Sequence, residues 1–329
     1  MTTDHASPAI VTEDFMIPSD TPGIELFVRN KRPAGLSAFP PDRTVLFIHG
    51  SSYPASTTFD LALDGLSWID HMAGRGYDAY LVDVRGYGRS TRPPEMDRPA
   101  QEGHPIVRTE TAVRDLGAAV EFILARRAIQ RLCLVGWSWG TTLAGSFTAG
   151  HPDLVEKLVL LAPQWLRTMP SASDMGGPLG SYRVISRADA KERWLRGVPV
   201  EKRAAILPDA WFEAWADATF ATDPWGRQQE PMRLRAPNGT VQDSREYWAA
   251  GRPFYDPGKI KAPVLIVHAD LDQELPLDMA RTYFGLLTGA AYRRWVEIGD
   301  STHSLVMERN RWQVFAVVDA FLKERPCER

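Results

Sequence analysis

The 329-residue sequence predicts an α/β fold, with a mostly parallel central sheet, helices on both faces and an inserted helical lid. Short apolar runs bounded by Gly, Pro or Asp alternate with helix-period stretches; this alternation stops near residue 163; and it resumes after residue 256. The chain therefore divides into a first core part over 1–162, a lid over 163–256 and a second core part over 257–329.

The first four runs are TVLFI at 44–48, YDAYLV at 77–82, RLCLV at 131–135 and KLVLL at 157–161. Their length and β-branched content read as strands buried on both faces, which a parallel sheet covered by helices requires. Between them, TETAVRDLGAAVEFILARR at 109–127 puts Val113, Leu116, Val120, Ile123 and Leu124 on one stripe. Its polar start and its Arg pair in the last turn complete the pattern of an amphipathic helix. From 163 to 256 no strand pattern is legible, only short helical pieces such as 188–196 and 209–220, broken by Pro and Gly. Six of the eleven tryptophans fall here: Trp165, Trp194, Trp211, Trp215, Trp225 and Trp248. They suffice for a small core and for part of the wall of an apolar substrate cavity. The strand pattern returns with PVLIVH at 263–268 and YRRWVEI at 292–298, followed by an apolar helix over 312–322.

Composition narrows the function. At 44% hydrophobic and 24% charged residues, disorder is excluded as the main state. Lys and Arg number 38 against 41 Asp and Glu, so no basic excess exists to neutralise nucleic acid or an anionic membrane. Cys133, in an apolar run, and Cys327, in the tail, are too few for a disulfide framework. The amino terminus lacks the charged and apolar regions of a secretory signal, and no window approaches the ~18 apolar residues of a membrane span. A cytoplasmic protein acting on a small molecule is expected, with neither nucleic acid nor membrane as partner.

The most informative stretch is Gly136-Trp137-Ser138-Trp139-Gly140, set between the strand RLCLV and the helical run TTLAGSFTAG. A nucleophile on a tight strand-to-helix turn needs glycines two residues to either side, where side chains would collide. Ser138 then lies at a helix N-terminus, where the macrodipole favours developing negative charge. A serine hydroxyl is a weak nucleophile and needs a base, and the base needs an acid to fix its tautomer. Downstream, His303 follows the strand YRRWVEI, and Asp272 follows PVLIVH, with Asp270 and Glu274 competing for the acid role. Both loops lie past the carboxyl ends of strands, where open α/β sheets place their ligands. The oxyanion donors expected are the backbone N–H of Trp139 and that of Ser51, in the loop His49-Gly50-Ser51-Ser52. His49 and Gly50 shape that loop. Trp137, flanking Ser138, together with Trp165, Trp211 and Trp215, are the candidate pocket residues.

These residues resemble the α/β-hydrolase fold superfamily, particularly members with a lid inserted before the strand that carries the acid. The resemblance spans about residues 24–325 and rests on His49-Gly50, Asp83-Val-Arg-Gly86-Tyr-Gly88-Arg-Ser90, the Ser138 elbow, Asp272 with Pro276, and His303. It implies a serine hydrolase and favours Asp272, four residues before the proline, as the acid. The Asp83 to Ser90 segment is implied to shape a loop and not to catalyse. A dinucleotide reading of Gly86-Tyr-Gly88 fails, because Thr91 stands where a third glycine is needed. Similar prolyl aminopeptidases carry HGGPG where this chain has HGSSYP, and haloalkane dehalogenases and epoxide hydrolases carry Asp where this chain has Ser138.

The function expected is cofactor-free hydrolysis of a carboxylic ester or lactone of a largely apolar small molecule. C–C bond hydrolysis of a meta-cleavage product is the alternative on the same triad, and a ligand-binding receptor is a third reading. No metal is expected, since the seven histidines are scattered without an H-E-x-x-H or Cys/His pairing. Arg227, Arg233, Arg235 and Arg252 are candidates to pair a substrate carboxylate, with a solvated face favoured for each.

Overall fold

The computed structural model describes residues 9–325, which leaves Cys327 and the first eight residues outside the description. Ten strands occur in chain order: β1 Ile10–Pro18, β2 Glu25–Pro33, β3 Thr44–Ile48, β4 Asp78–Val82, β5 Leu132–Trp137, β6 Val155–Leu161, β7 Tyr182–Ile185, β8 Leu234–Pro237, β9 Val264–Ala269 and β10 Arg293–Ile298. Eight of them form one sheet in the order β1-β2-β4-β3-β5-β6-β9-β10. From β4 to β10 every pairing is parallel, and β2 runs against both of its neighbours.

Every residue of β3, β4, β5 and β9 is buried, so both faces of the sheet centre are covered, as the continuous apolar runs predict. The helix Thr109–Arg127 has the expected bounds and ends on Ala128 in the left-handed conformation, φ 51°. It buries Leu116, Val120 and Ile123, while Val113 and Leu124 sit at the margin of the stripe. The helix Trp68–Gly74 joins Arg311–Lys323 through Trp68 stacked on Phe315, ring centroids 4.8 Å apart.

Two features depart from the sequence expectations. The first is the β1–β2 hairpin at the sheet edge: β1 alternates exposed and half-buried residues, and the buried run Leu26-Phe27-Val28 of β2 is too short to announce the pair. The second lies in the stretch over 163–256, where helices dominate as expected but β7 and β8 form an antiparallel pair, Tyr182 opposite Pro237 and Ile185 opposite Leu234. These strands are four residues long and carry Arg183 and Arg235, so local pattern does not reveal them. The tryptophan core of this stretch centres on Trp215, fully buried edge-on to Trp194 at 5.0 Å and beside Phe212. The stretch leaves the sheet after β6 and rejoins it at β9, and those two strands are hydrogen-bonded neighbours. Among the described residues no helix is long and apolar enough to cross a membrane.

Candidate active site

β5 ends at Trp137, and the chain turns at Ser138 with φ 55° and ψ −123° before the helix Trp139–Gly150 begins. This conformation costs a side-chain-bearing residue about 1–3 kcal/mol and persists only where its surroundings impose it. Here Ser138 N–H donates to Leu161 O at 2.9 Å, while the Thr141 N–H and hydroxyl both donate to Ser138 O, at 2.9 and 2.5 Å. The flanking glycines are sterically required. A Cβ on Gly136 would lie 2.4 Å from Gly140 O, and one on Gly140 would lie 2.4 Å from Ile48 O.

The turn aims Ser138 Oγ at His303 Nε2, 2.9 Å away, and His303 Nδ1 lies 2.9 Å from Asp272 Oδ2. A carboxylate only accepts, so Nδ1 carries the proton and Nε2 is left to accept from the serine. Asp272 is held by the N–H groups of Glu274 and Leu275, both donating to Oδ1, at 2.8 and 3.0 Å. The two competing acids have other partners: Asp270 accepts from Ser301 N–H at 3.1 Å, and Glu274 forms an ion pair with Arg193, Nε to Oε1 2.5 Å. The His303 loop is anchored twice. Trp137 Nε1 donates to His303 O at 2.8 Å, and the buried Glu308 carboxylate gathers Ser301 Oγ, Thr302 N–H and Oγ1, and Trp194 Nε1.

Electrostatics at the ring follow from two carboxylates on opposite sides. Burial pulls the His303 pKa down, but Asp272 and Glu274 outweigh it, and the ring is raised above its ordinary value. Glu274 Oε2 lies 3.7 Å from Nε2. Burial pushes Glu274 up, yet Arg193 and His303 hold its carboxyl down to about 2.

The loop after β3 closes on the nucleophile. Val84 N–H donates to His49 Nε2 at 3.0 Å, which leaves Nδ1–H to donate to Gly50 O at 2.6 Å. A Cβ on Gly50 would stand 3.1 Å from Ser138 Cβ, so only glycine permits this approach without displacement. Ser51 borders the cavity at Ser138, with its carbonyl accepting from Tyr87 Oη and Arg183 Nη2, both at 2.8 Å. Trp139 opens the helix, so its N–H has no intrahelical acceptor; its ring is fully buried, with Nε1 donating to Thr109 Oγ1 at 2.9 Å. Asp83 accepts from Ser56 N–H and Oγ and from Arg89 N–H, a loop-shaping arrangement.

The cavity at Ser138 is about 20 Å³, with Tyr53, Trp137, Arg193, Trp194 and Glu274 among its walls. Of the tryptophans expected there, Trp137 borders it. Trp165 packs against Tyr255 and Tyr283, Trp211 lies against Arg311, and Trp215 stands behind Tyr53 and Trp194, so none of these three reaches it. Nothing in the local sequence marks Tyr53 or Arg193 as wall residues, and Glu274 enters there only as a rival to Asp272. Among the candidate arginines, Arg235 is tied to Asp223 and Arg252 to Glu246 O. A legible signal for Arg193 was its place beside Trp194 in a capped helix, but nothing local says which way it faces.

Comparison with known proteins identifies the family and the fold. The α/β hydrolase fold family model matches residues 43–310. A 2-hydroxy-6-oxononadienedioate/2-hydroxy-6-oxononatrienedioate hydrolase of Paraburkholderia phymatum is 26% identical over 249 residues, 74% of this chain and 76% of that protein. Epoxide hydrolase 2 of Siraitia grosvenorii is 30% identical over 133 residues, 40% of this chain, and the match spans 36% of that protein's length. In structure, a serine hydrolase involved in carbazole degradation aligns with a TM-score of 0.61 at 18% identity, covering 96% of this chain and 100% of that one. An esterase from Exiguobacterium antarcticum aligns at 0.60 and 17%, covering 95% and 100%; at such identities both report on the fold alone. The family match runs from before β3 to beyond His303 and so includes the elbow and both of its partners, which places the chain in the α/β hydrolase fold family.

Proposed function

We propose that the protein is a cofactor-free serine hydrolase that cleaves a carboxylic ester or lactone of a small molecule. The observation that carries this reading is the unbroken relay from Ser138 Oγ to His303 to Asp272, each link 2.9 Å. In acylation Ser138 Oγ attacks the carbonyl carbon while His303 Nε2 takes its proton, and the N–H groups of Ser51 and Trp139 receive the oxyanion. His303 returns that proton to the departing alkoxide, leaving an acyl-enzyme. Water then attacks the acyl carbon, gives a proton to Nε2, and Ser138 recovers it as the acid leaves. Asp272 holds the ring and stabilises its imidazolium throughout.

The helix Arg187–Trp194 covers the nucleophile through Arg193 and Trp194, and we assign the stretch over 163–256 the role of lid. A volume of about 20 Å³ admits about one water and no ester, so substrate entry requires this helix to move. The test is hydrolysis of p-nitrophenyl esters from acetate to long acyl chains, with Ser138→Ala alongside. Turnover that disappears in Ser138→Ala is expected; turnover retained at the parent rate by that variant would falsify the mechanism. A second reading, C–C bond hydrolysis of a 2-hydroxy-6-oxo dienoate, is favoured by the name of the Paraburkholderia relative. Turnover of such a compound with negligible ester hydrolysis would select it.

A further inference from the structure

A second cavity, of about 400 Å³, has Tyr53 and Arg193 among its walls, as does the small one at Ser138. Leu179 and Ile185 give it an apolar side, and Arg183 a charged one. Arg183 stands directly behind the oxyanion loop: Nη2 donates to Ser51 O at 2.8 Å and Ser52 Oγ at 2.9 Å, and Nη1 donates to Pro237 O at 2.6 Å. All three acceptors are neutral, and no carboxylate joins them among the described residues. Its neighbour Arg193, by contrast, is neutralised by Glu274. The acids on the cavity wall do not answer Arg183. Asp189 is committed to capping its own helix at Ser186, and Glu192 is exposed.

A partly buried guanidinium cannot shed its proton, and with no carboxylate bonded to it and Glu274 acting only from a distance, its desolvation is incompletely offset. Burial, joined by the nearby charge of Arg193, lowers the Arg183 pKa and outweighs the opposing influence of Tyr87, Tyr53 and Glu274. Its Nε–H makes no hydrogen bond within the described protein, and one Nη1 hydrogen is spare, so donors remain for a ligand that brings negative charge.

We infer that Arg183 anchors a carboxylate at the far end of the substrate's acyl chain, so that the preferred substrates are half-esters of dicarboxylic acids. Once the helix Arg187–Trp194 has moved, the scissile carbonyl sits at Ser138, the methylene chain lies along the Leu179 and Ile185 side of the larger cavity, and the terminal carboxylate meets Arg183. This rests on the serine-hydrolase reading and adds to it a substrate class.

The experiment compares kcat/KM for mono-p-nitrophenyl esters of glutarate to suberate with neutral p-nitrophenyl esters of equal acyl length. Wild-type protein is expected to prefer the anionic member by roughly 10- to 100-fold at the best length, the range of a charge-assisted contact. Arg183→Gln should bring that ratio close to one, and Arg183→Lys, which keeps charge without the planar fork, should retain part of it. Equal rates for the two series in wild-type protein would overturn the inference. So would an unchanged ratio in folded Arg183→Gln. Calorimetric binding of monomethyl adipate to Ser138→Ala reads the anchor without turnover: binding lost on adding Arg183→Gln supports it, and binding unaffected by that change overturns it. If no ester is hydrolysed and a fluorophosphonate leaves Ser138 unlabelled, the hydrolase reading falls, and the calorimetric comparison still decides on Arg183.

Discussion

The rim of the site and its roof are built by different forces. At the rim, Ser138 and Asp272 are held mainly by backbone groups: two backbone hydrogen bonds, joined by one from the Thr141 hydroxyl, constrain the Ser138 peptide, and two N–H donors fix the Asp272 carboxylate. At the roof, the helix Arg187–Trp194 is tied down by side chains, Arg193 to Glu274 and Trp194 to Glu308. Backbone constraints persist as long as the sheet does, whereas side-chain ties can release singly. The contrast suits the proposed reaction, which needs fixed reacting atoms beneath a cover that opens.

The largest test of this contrast is Ser138→Ala, which should reduce kcat by about 10⁴- to 10⁶-fold while thermal unfolding followed by circular dichroism stays near that of the parent. Asp272→Asn should come close behind, at about 10⁴-fold in kcat, because the wrong tautomer of His303 is then favoured. Glu274→Gln removes a roof partner only two residues away, and steady-state kinetics should show a far smaller loss, about tenfold. If the two acids cost the same, the distinction between rim and roof is lost.

The same variant sharpens the comparison through pH. In the proposed mechanism unprotonated His303 is the active form, so kcat/KM should fall as pH drops through the pKa of the ring, raised above its ordinary value. Glu274→Gln withdraws one of the two carboxylates that raise it, so the acidic limb should move to lower pH. A limb that stays in place would show that Glu274 does not act on the ring. The smallest effect expected is that of Trp194→Phe, which deletes the indole donor to Glu308. A stability loss of about 1 kcal/mol by chemical denaturation, with KM altered more than kcat, is the anticipated result.

How much could be read in advance follows the same division. The elbow, the triad and the loop after β3 were legible because each depends on local chemistry: glycines where a Cβ would collide, a strand before and a helix after, and polar residues just past strand ends. The central strands were legible because burial on both faces leaves continuous apolar runs. The β1–β2 hairpin was not, since an edge strand with one wet face dilutes its apolar signal. Nor was β7–β8, whose partners are separated by about fifty residues and joined only by tertiary contact. Tryptophan content marked a cluster correctly but not its direction. Trp215 faces other rings, and the cavity is bordered instead by Trp194 and by Arg193, whose orientation depends on Glu274 in another part of the chain.

One topological fact bears on ancestry. Because β6 and β9 are parallel neighbours, the sheet requires only a crossover of a dozen or more residues between them. The remainder of that long excursion is not needed to complete the sheet, so insertions, deletions and exchanges there leave strand pairing intact. On the lid role proposed above, a change of diet can be written into one continuous stretch of gene, while Ser138, Asp272 and His303, which all lie outside it, keep their places in the sheet framework.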